Sequence, residues 1–194
     1  MNLKLLTLIL SLIFSINLQA KQLAGIDISE SISFSDQSTN LILNGAGIRT
    51  KLFFDIYIGS LYLEKKSINP KEIYNMHGEK RISMHFLYDE VSKEKLVNGW
   101  NDGFKNNLSN NELSKFKPQI NQFNNLFITV NKGDVIHLIF IPTTGTHVII
   151  NDKTMGLIEG DAFFTALLKI WLGEDPADSN LKEAMLGVEE NTSP

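Results

Sequence analysis

The stretch LNGAGIRTKLFFDIYIGSLYL, Leu43 to Leu63, decides how the rest of this sequence is read. Its second half, Leu52 to Leu63, is the longest apolar run beyond the amino terminus. It is rich in Ile, Phe and Tyr and lacks clean alternation, which predicts a central strand covered on both faces. Gly59 within it is expected to mark a bulge. Upstream, Leu41-Ile42-Leu43 is a short β-type run. Asn44-Gly45-Ala46-Gly47 is expected to stop it in a turn, because glycine reaches backbone conformations that other residues avoid. Arg49 then stands between a glycine turn and the most apolar strand of the chain. An arginine so placed is either paired with a carboxylate, for which Asp55 is the candidate, or left to receive an anion.

Downstream, Ile82, Met84 and Phe86 alternate with Ser83 and His85, the pattern of a half-buried strand from Arg81 to Phe86. Ser92 is placed to cap a helix carrying Leu96, Val97, Trp100, Phe104 and Leu108. A second helix follows from Leu113, Phe116, Ile120, Phe123 and Phe127, with Pro118 expected to end or kink it unless it sits in the first turn. Asp134–Ile141 and His147–Ile150 flank Pro-Thr-Thr-Gly-Thr, a hairpin signature centred on Thr144-Gly145 that sets His147 opposite Pro142. Asn151-Asp152 turns into a third strand from Lys153. Asp161 is expected to cap a helix with the stripe Phe164, Leu167, Leu168 and Trp171, with Glu159 also in its first turn. Gly173 stops that helix and Pro176 prevents its resumption. A short helix from about Ser179 to Leu186 closes the chain, followed by a polar, loose tail from Glu189 to Pro194. Strands, then helices, then strands, then helices predict an α+β fold with a mainly antiparallel sheet.

The chain has 194 residues, no cysteine and a formal charge of −4. One domain is expected at this length. The missing cysteines exclude a disulfide framework, a thiolate metal site and a cysteine nucleophile. An acidic balance argues against a nucleic-acid binder. The first twenty residues read as an address. Lys4 forms a positive start, Leu5 to Phe14 is apolar apart from Thr7 and Ser11, and Ala20 offers a small residue for cleavage. The apolar segment is shorter than the roughly 20 residues of a spanning helix. Residues 1–20 are therefore read as a signal peptide, residues 21–194 as the domain, and the address as periplasmic or secreted. No later run approaches spanning length.

Gly45-Ala46-Gly47 lacks the third glycine of a dinucleotide loop and precedes a strand, so no nucleotide cofactor is expected. His77, His85, His137 and His147 show no ligand spacing, so no metal is expected. No G-x-S-x-G nucleophile motif occurs.

Three segments together resemble the chalcone isomerase-like family, and within it the bacterial secreted branch: Leu43 to Leu63, Tyr88 to Phe104, and GLIEGDAFFTALLKIWLGEDPADSNLKEAMLG from Gly156 to Gly187. The resemblance implies an open-faced β-sandwich, a large antiparallel sheet with a layer of helices and a cleft between them. In the plant enzymes an arginine stabilises the attacking phenolate of chalcone. A threonine and a tyrosine hold a water at the carbonyl, and an asparagine and a second threonine shape the cleft. Position by position, the arginine falls on Arg49, the strand threonine on Tyr57 and the tyrosine on Tyr88. The asparagine falls on Lys95 and the later threonine on Ile170. A related plant branch binds fatty acids, its arginine and tyrosine taking the carboxylate, and the retained Arg49 and Tyr88 fit that pattern better.

Three readings follow. The first is a periplasmic, non-catalytic protein holding a small amphipathic anion such as a fatty acid beside Arg49, with Tyr57, Tyr88, Lys95 and Ile170 around it and no cofactor. The second is an isomerase acting on a chalcone-like or other small enone, with Arg49, Tyr57 and Tyr88 as catalytic candidates. The third is a partner-binding module in which Arg49 forms an internal salt bridge.

Overall fold

A computed structural model describes residues 21–33 and 39–188. The segment read as a signal peptide and the tail from Glu189 lie outside the described residues. The strands are β1 (Lys21–Leu23), β2 (Ile26–Ile28), β3 (Ser31–Ile32), β4 (Leu41–Lys51), β5 (Phe54–Leu63), β6 (Lys80–Phe86), β7 (Glu90–Val91), β8 (Val130–Asn131), β9 (Val135–Ile141), β10 (Gly145–Ile150) and β11 (Lys153–Glu159). The helices are α1 (Pro70–Asn75), α2 (Lys93–Asn107), α3 (Asn110–Asn125), α4 (Asp161–Leu172) and α5 (Ser179–Met185). Among these residues the main sheet has seven strands in the order β11-β10-β9-β6-β5-β4-β3, with every neighbouring pair antiparallel. Two further pairs, β1 with β2 and β7 with β8, stand outside it. Between β6 and β9 the chain leaves the sheet, forms α2 and α3, and returns beside the strand it left.

The helices cover one face of this sheet. Leu61, Ile82, Leu138 and Val148 project there into a core shared with Trp100, Phe123, Phe163 and Trp171. A smaller cluster on the other face joins Ile58 and Tyr62 to Ile28 and Leu41. Strand β5 is therefore buried on both faces from Tyr57 onward, as its composition predicts. Its beginning differs. Leu52 and Phe53 are 82% and 96% exposed, at the β4–β5 turn.

Asn44 to Gly47 form no turn. β4 runs through them, and neither glycine has a positive φ. Their small size serves packing. A Cβ on Gly45 would lie 2.1 Å from the Ala184 carbonyl oxygen, and one on Gly47 would lie 2.5 Å from the Ala184 Cβ. On β5, a Cβ on Gly59 would lie 3.1 Å from Leu181 Cδ1, so it also makes room for α5 and marks no bulge. The register shifts fall instead between Leu43 and Gly45 and between Arg49 and Thr50. The Asn44 amide donates to the carbonyls of Ser67 and Met185, tying the strand to the end of α5.

Pro118 lies inside α3 without ending it. It and Ser114 are exposed, so the carbonyl that loses its helical donor is solvated. The β9–β10 loop centres on Thr143, whose φ is 64°. That left-handed residue sets Gly145 opposite Ile141, so His147 faces Ile139 rather than Pro142. Glu159 ends β11, and Gly160 rather than Asp161 is the N-cap of α4. Asp161 stands in the first turn and accepts from the Thr143 amide. Among the described residues no helix is long and apolar enough to cross a membrane.

Two outcomes are expected. Gly45→Ala should destabilise the protein by roughly 1–3 kcal/mol, the usual range for overpacking, as read by urea denaturation. On the outer face of the sheet His137 lies beside the Arg81 guanidinium, with Nδ1 3.0 Å from Ser83 Oγ. Burial, and then the Arg81 charge, push its pKa down to about 3. Because the unfolded chain binds this proton near the ordinary histidine pKa, stability is full above about 6.5 and falls as the pH drops from there toward 3. His137→Asn should flatten that slope between pH 7 and 5, and an unchanged slope would assign it to other groups.

Candidate functional site

Ser92 starts α2, its hydroxyl accepting from the Lys95 amide at 3.2 Å. From there α2 runs with its buried side, Leu96, Trp100 and Phe104, turned into the large core. Gly103 permits close approach to α4, since a Cβ there would lie 2.7 Å from Ile170 Cγ2. The segment joining α4 to α5 supplies Ala177. Next to it Asp178 caps α5 through the Leu181 amide at 2.9 Å and accepts from the Thr50 amide at 3.1 Å. That clasp fixes the far end of β4 and so positions Arg49.

Two adjoining spaces open between these elements. An inner cavity of about 60 Å³ is walled by Tyr57, Met84, Phe86, Leu96, Trp100 and Ile170. An outer cleft of about 650 Å³ is walled by Leu52, Phe54, Tyr88, Asn98, Asp102 and Pro176, among others. Arg49, Ile56, Val91, Lys95, Gly99 and Ala177 line both. The five residues singled out in the sequence thus meet at one place. Arg49 and Lys95 stand where the two spaces join, Tyr57 and Ile170 within, and Tyr88 without.

Arg49 is half-buried. Its Nε donates to the Ala177 carbonyl over a long 3.5 Å, and its guanidinium carbon lies 5.7 Å from the centre of the Tyr57 ring. Among the described residues no carboxylate pairs with it. Asp55 accepts from the Thr50 hydroxyl at 3.0 Å, so the expected salt bridge is not formed. A guanidinium carries five N–H donors, and most of these are left without a protein acceptor among the described residues. Tyr57 accepts a hydrogen bond from Trp171 Nε1 at 3.0 Å. Burial raises its pKa, opposed by the Arg49 charge and by the Trp171 bond, so the phenol stays protonated. Its own O–H has no protein acceptor among the described residues. The inner lining contains two cations and no carboxylate. The outer cleft sets Arg49, Lys51 and Lys95 against Glu90, Asp102 and Asp175. Tyr88 leans edge-on against Phe54, with ring centres 5.5 Å apart. Among the described residues no group of acidic or histidine side chains could hold a metal ion.

Gly99 escapes a reading based on apolar spacing, because it carries no side chain to count. A Cβ there would meet nothing within 4 Å. Met84, Phe86 and Leu96 escape it for the opposite reason: their spacing reads as ordinary core.

The architecture, a curled antiparallel sheet with helices on one face and a cleft between them, is the chalcone isomerase-like α+β fold. The sequence agrees. Residues 20–187 match the family model described as chalcone isomerase-like, and the chain belongs to that family. Among solved structures it is similar to a fatty-acid binding protein of Arabidopsis thaliana, with a TM-score of 0.65 and 18% identity over 84% of this chain and 92% of that one. No curated protein matches it.

Gly99→Ala should raise stability by about 0.5–1 kcal/mol, because helix propensity improves and nothing is displaced. Thermal unfolding monitored by circular dichroism checks this. A loss of stability would mean that the open space at Gly99 is smaller than described.

Proposed function

We propose that this chain is a non-catalytic binding protein of the secreted bacterial branch of its family, working in the periplasm or outside the cell. Its ligand is a small amphipathic anion of the fatty-acid class, held in the cleft with Arg49 pairing its charge. One observation carries this reading. Arg49 stands at the junction of an apolar-walled cavity and a wider cleft, with no carboxylate paired to it among the described residues. A half-buried guanidinium in such a place favours a charged oxygen acceptor. The outer cleft has the volume of ordinary small-molecule sites, roughly 300–1,000 Å³. The fatty-acid binding named for the Arabidopsis protein of like fold points the same way. In this reading Tyr57 and Lys95 support the head group, and Tyr88 and Ile170 shape the walls.

The isomerase reading draws less support. Tyr57, in the place of the strand threonine, gives its oxygen to Trp171, and Ile170 offers no hydroxyl. An inner cavity of about 60 Å³ is also too small for an aromatic ring system. The partner-module reading rested on an Arg49–Asp55 pair, and Asp55 is engaged by Thr50 instead.

The test is displacement of a fluorescent fatty acid by decanoate. Arg49→Ala should weaken decanoate binding roughly 10- to 100-fold, the equivalent of one charge-assisted hydrogen bond. No displacement from the unaltered protein, or equal affinity in the variant, would sink the reading.

A further inference from the structure

Trp100, in the wall of the inner cavity, carries a buried polar group without a partner among the described residues. Trp100 is 4% exposed, lines the cavity, and its Nε1 is buried without a hydrogen-bond partner. An indole N–H is a donor only, so no rotation converts it to an acceptor. Buried donors almost always find partners, because leaving one unmade costs the full desolvation of the group. The other indole of the chain shows the usual outcome. Trp171 packs against Trp100 with ring centres 5.6 Å apart, and its N–H is taken by the Tyr57 oxygen. Packing explains the Trp100 ring, which also touches Phe123 and Phe127, but it does not explain the nitrogen.

We propose that Trp100 is a ligand-binding residue, donating its indole N–H to the carboxylate of a ligand that enters the inner cavity head first. This rests on the reading of Arg49 as the charge partner and adds a further contact and an orientation to it. Four kinds of donor then surround the head group: the Arg49 guanidinium, the Lys95 ammonium, the Tyr57 O–H and the Trp100 N–H. No carboxylate of the protein competes in this lining. The cavity, about 60 Å³, holds a carboxylate and excludes a long chain. The chain therefore runs outward, past Gly99, into the cleft of about 650 Å³ bordered by Leu52 and Phe54. The absence of a side chain at Gly99, where a Cβ would meet nothing, leaves that passage open.

The chain has two tryptophans, so nitrogen-15-labelled protein gives two indole signals. Trp100→Phe identifies which is which. Decanoate should move the Trp100 signal downfield, the direction of a newly formed hydrogen bond, and 1-decanol should leave it in place. Trp100→Phe should lower decanoate affinity about tenfold while changing 1-decanol affinity far less, a ratio that loss of packing alone would not move. A stearate carrying a nitroxide near its methyl end should broaden the amide signals of Leu52 and Phe54 rather than those of Ile82 and Leu138. If decanoate displaces the fluorescent fatty acid but the Trp100 signal stays still, the nitrogen holds a water or nothing and the proposal is overturned, while the Arg49 reading stands. Broadening at Ile82 and Leu138 would overturn the orientation. If decanoate neither displaces the probe nor moves the signal, both fall.

Discussion

The seating of α5 on a glycine floor is the contact on which the site depends. Gly45, Gly47 and Gly59 leave the inner surface of β4 and β5 bare, and the helix comes close enough that a methyl group at either of the first two positions would collide with Ala184. Once α5 is down, the rest follows by short steps. Its N-cap, Asp178, has one oxygen for the helix and one for the Thr50 amide. The neighbouring Ala177 carbonyl then reaches Arg49. The cation is thus restrained by a neutral oxygen and by the face of Tyr57, not by a counter-charge. A salt bridge in that position would hold Arg49 more firmly and fill its donors. The weaker restraint leaves the guanidinium positioned but available.

The side chains at Tyr57 and Ile170 set the size of the inner cavity. Tyr57 reaches across the inner space to Trp171, which packs beside Trp100 over Phe123 and Phe127. This aromatic cluster occupies volume that a threonine would leave empty. A small polar-rimmed cavity survives beside Arg49, with the wider space outside it. A fold with a large buried pocket and this fold with a shallow one can share every strand and helix, because the difference lies in a few side chains. That is why likeness of fold alone says little about ligand size.

Much of the architecture was legible in the sequence because periodicity is local. The helix of Leu96, Trp100 and Phe104, its Ser92 cap, the meander after Asn151-Asp152 and the closing helix at Ser179 all follow from residues within a few positions of one another. The failures share a cause. Glycine in a tight turn and glycine under a close-packed helix look the same in sequence, and the partner that distinguishes them for Gly45, Ala184, lies far along the chain. Pro118 lies within its helix rather than ending it, and the carbonyl it orphans is solvated at the exposed Ser114. His147 was misplaced because one left-handed residue, Thr143, reset the hairpin register. For the site, the resemblance supplied Arg49, Tyr57, Tyr88, Lys95 and Ile170, and their convergence on adjoining spaces needed the fold. Trp100 was legible as core but not as a donor, since sequence shows the ring and not the surroundings of its nitrogen.

Several departures from local rules border this cleft. Elsewhere α2 is a well-built helix, with a capping serine, an acidic first turn and a lysine in its last. Where it faces the cleft it carries Gly99, which weakens the helix without a packing reason, and Trp100, whose N–H is buried and unused. Across the gap stands an arginine without a carboxylate. At the rim, Leu52 adopts a φ of 59° where glycine would be unstrained, with its side chain exposed. Each of these lowers stability somewhat. Natural sequences tolerate such costs where a function requires them. A purely structural role for this region would favour alanine at 99, a paired arginine and a satisfied indole. Among the described residues the chain has none of the three, and all three positions border the same space.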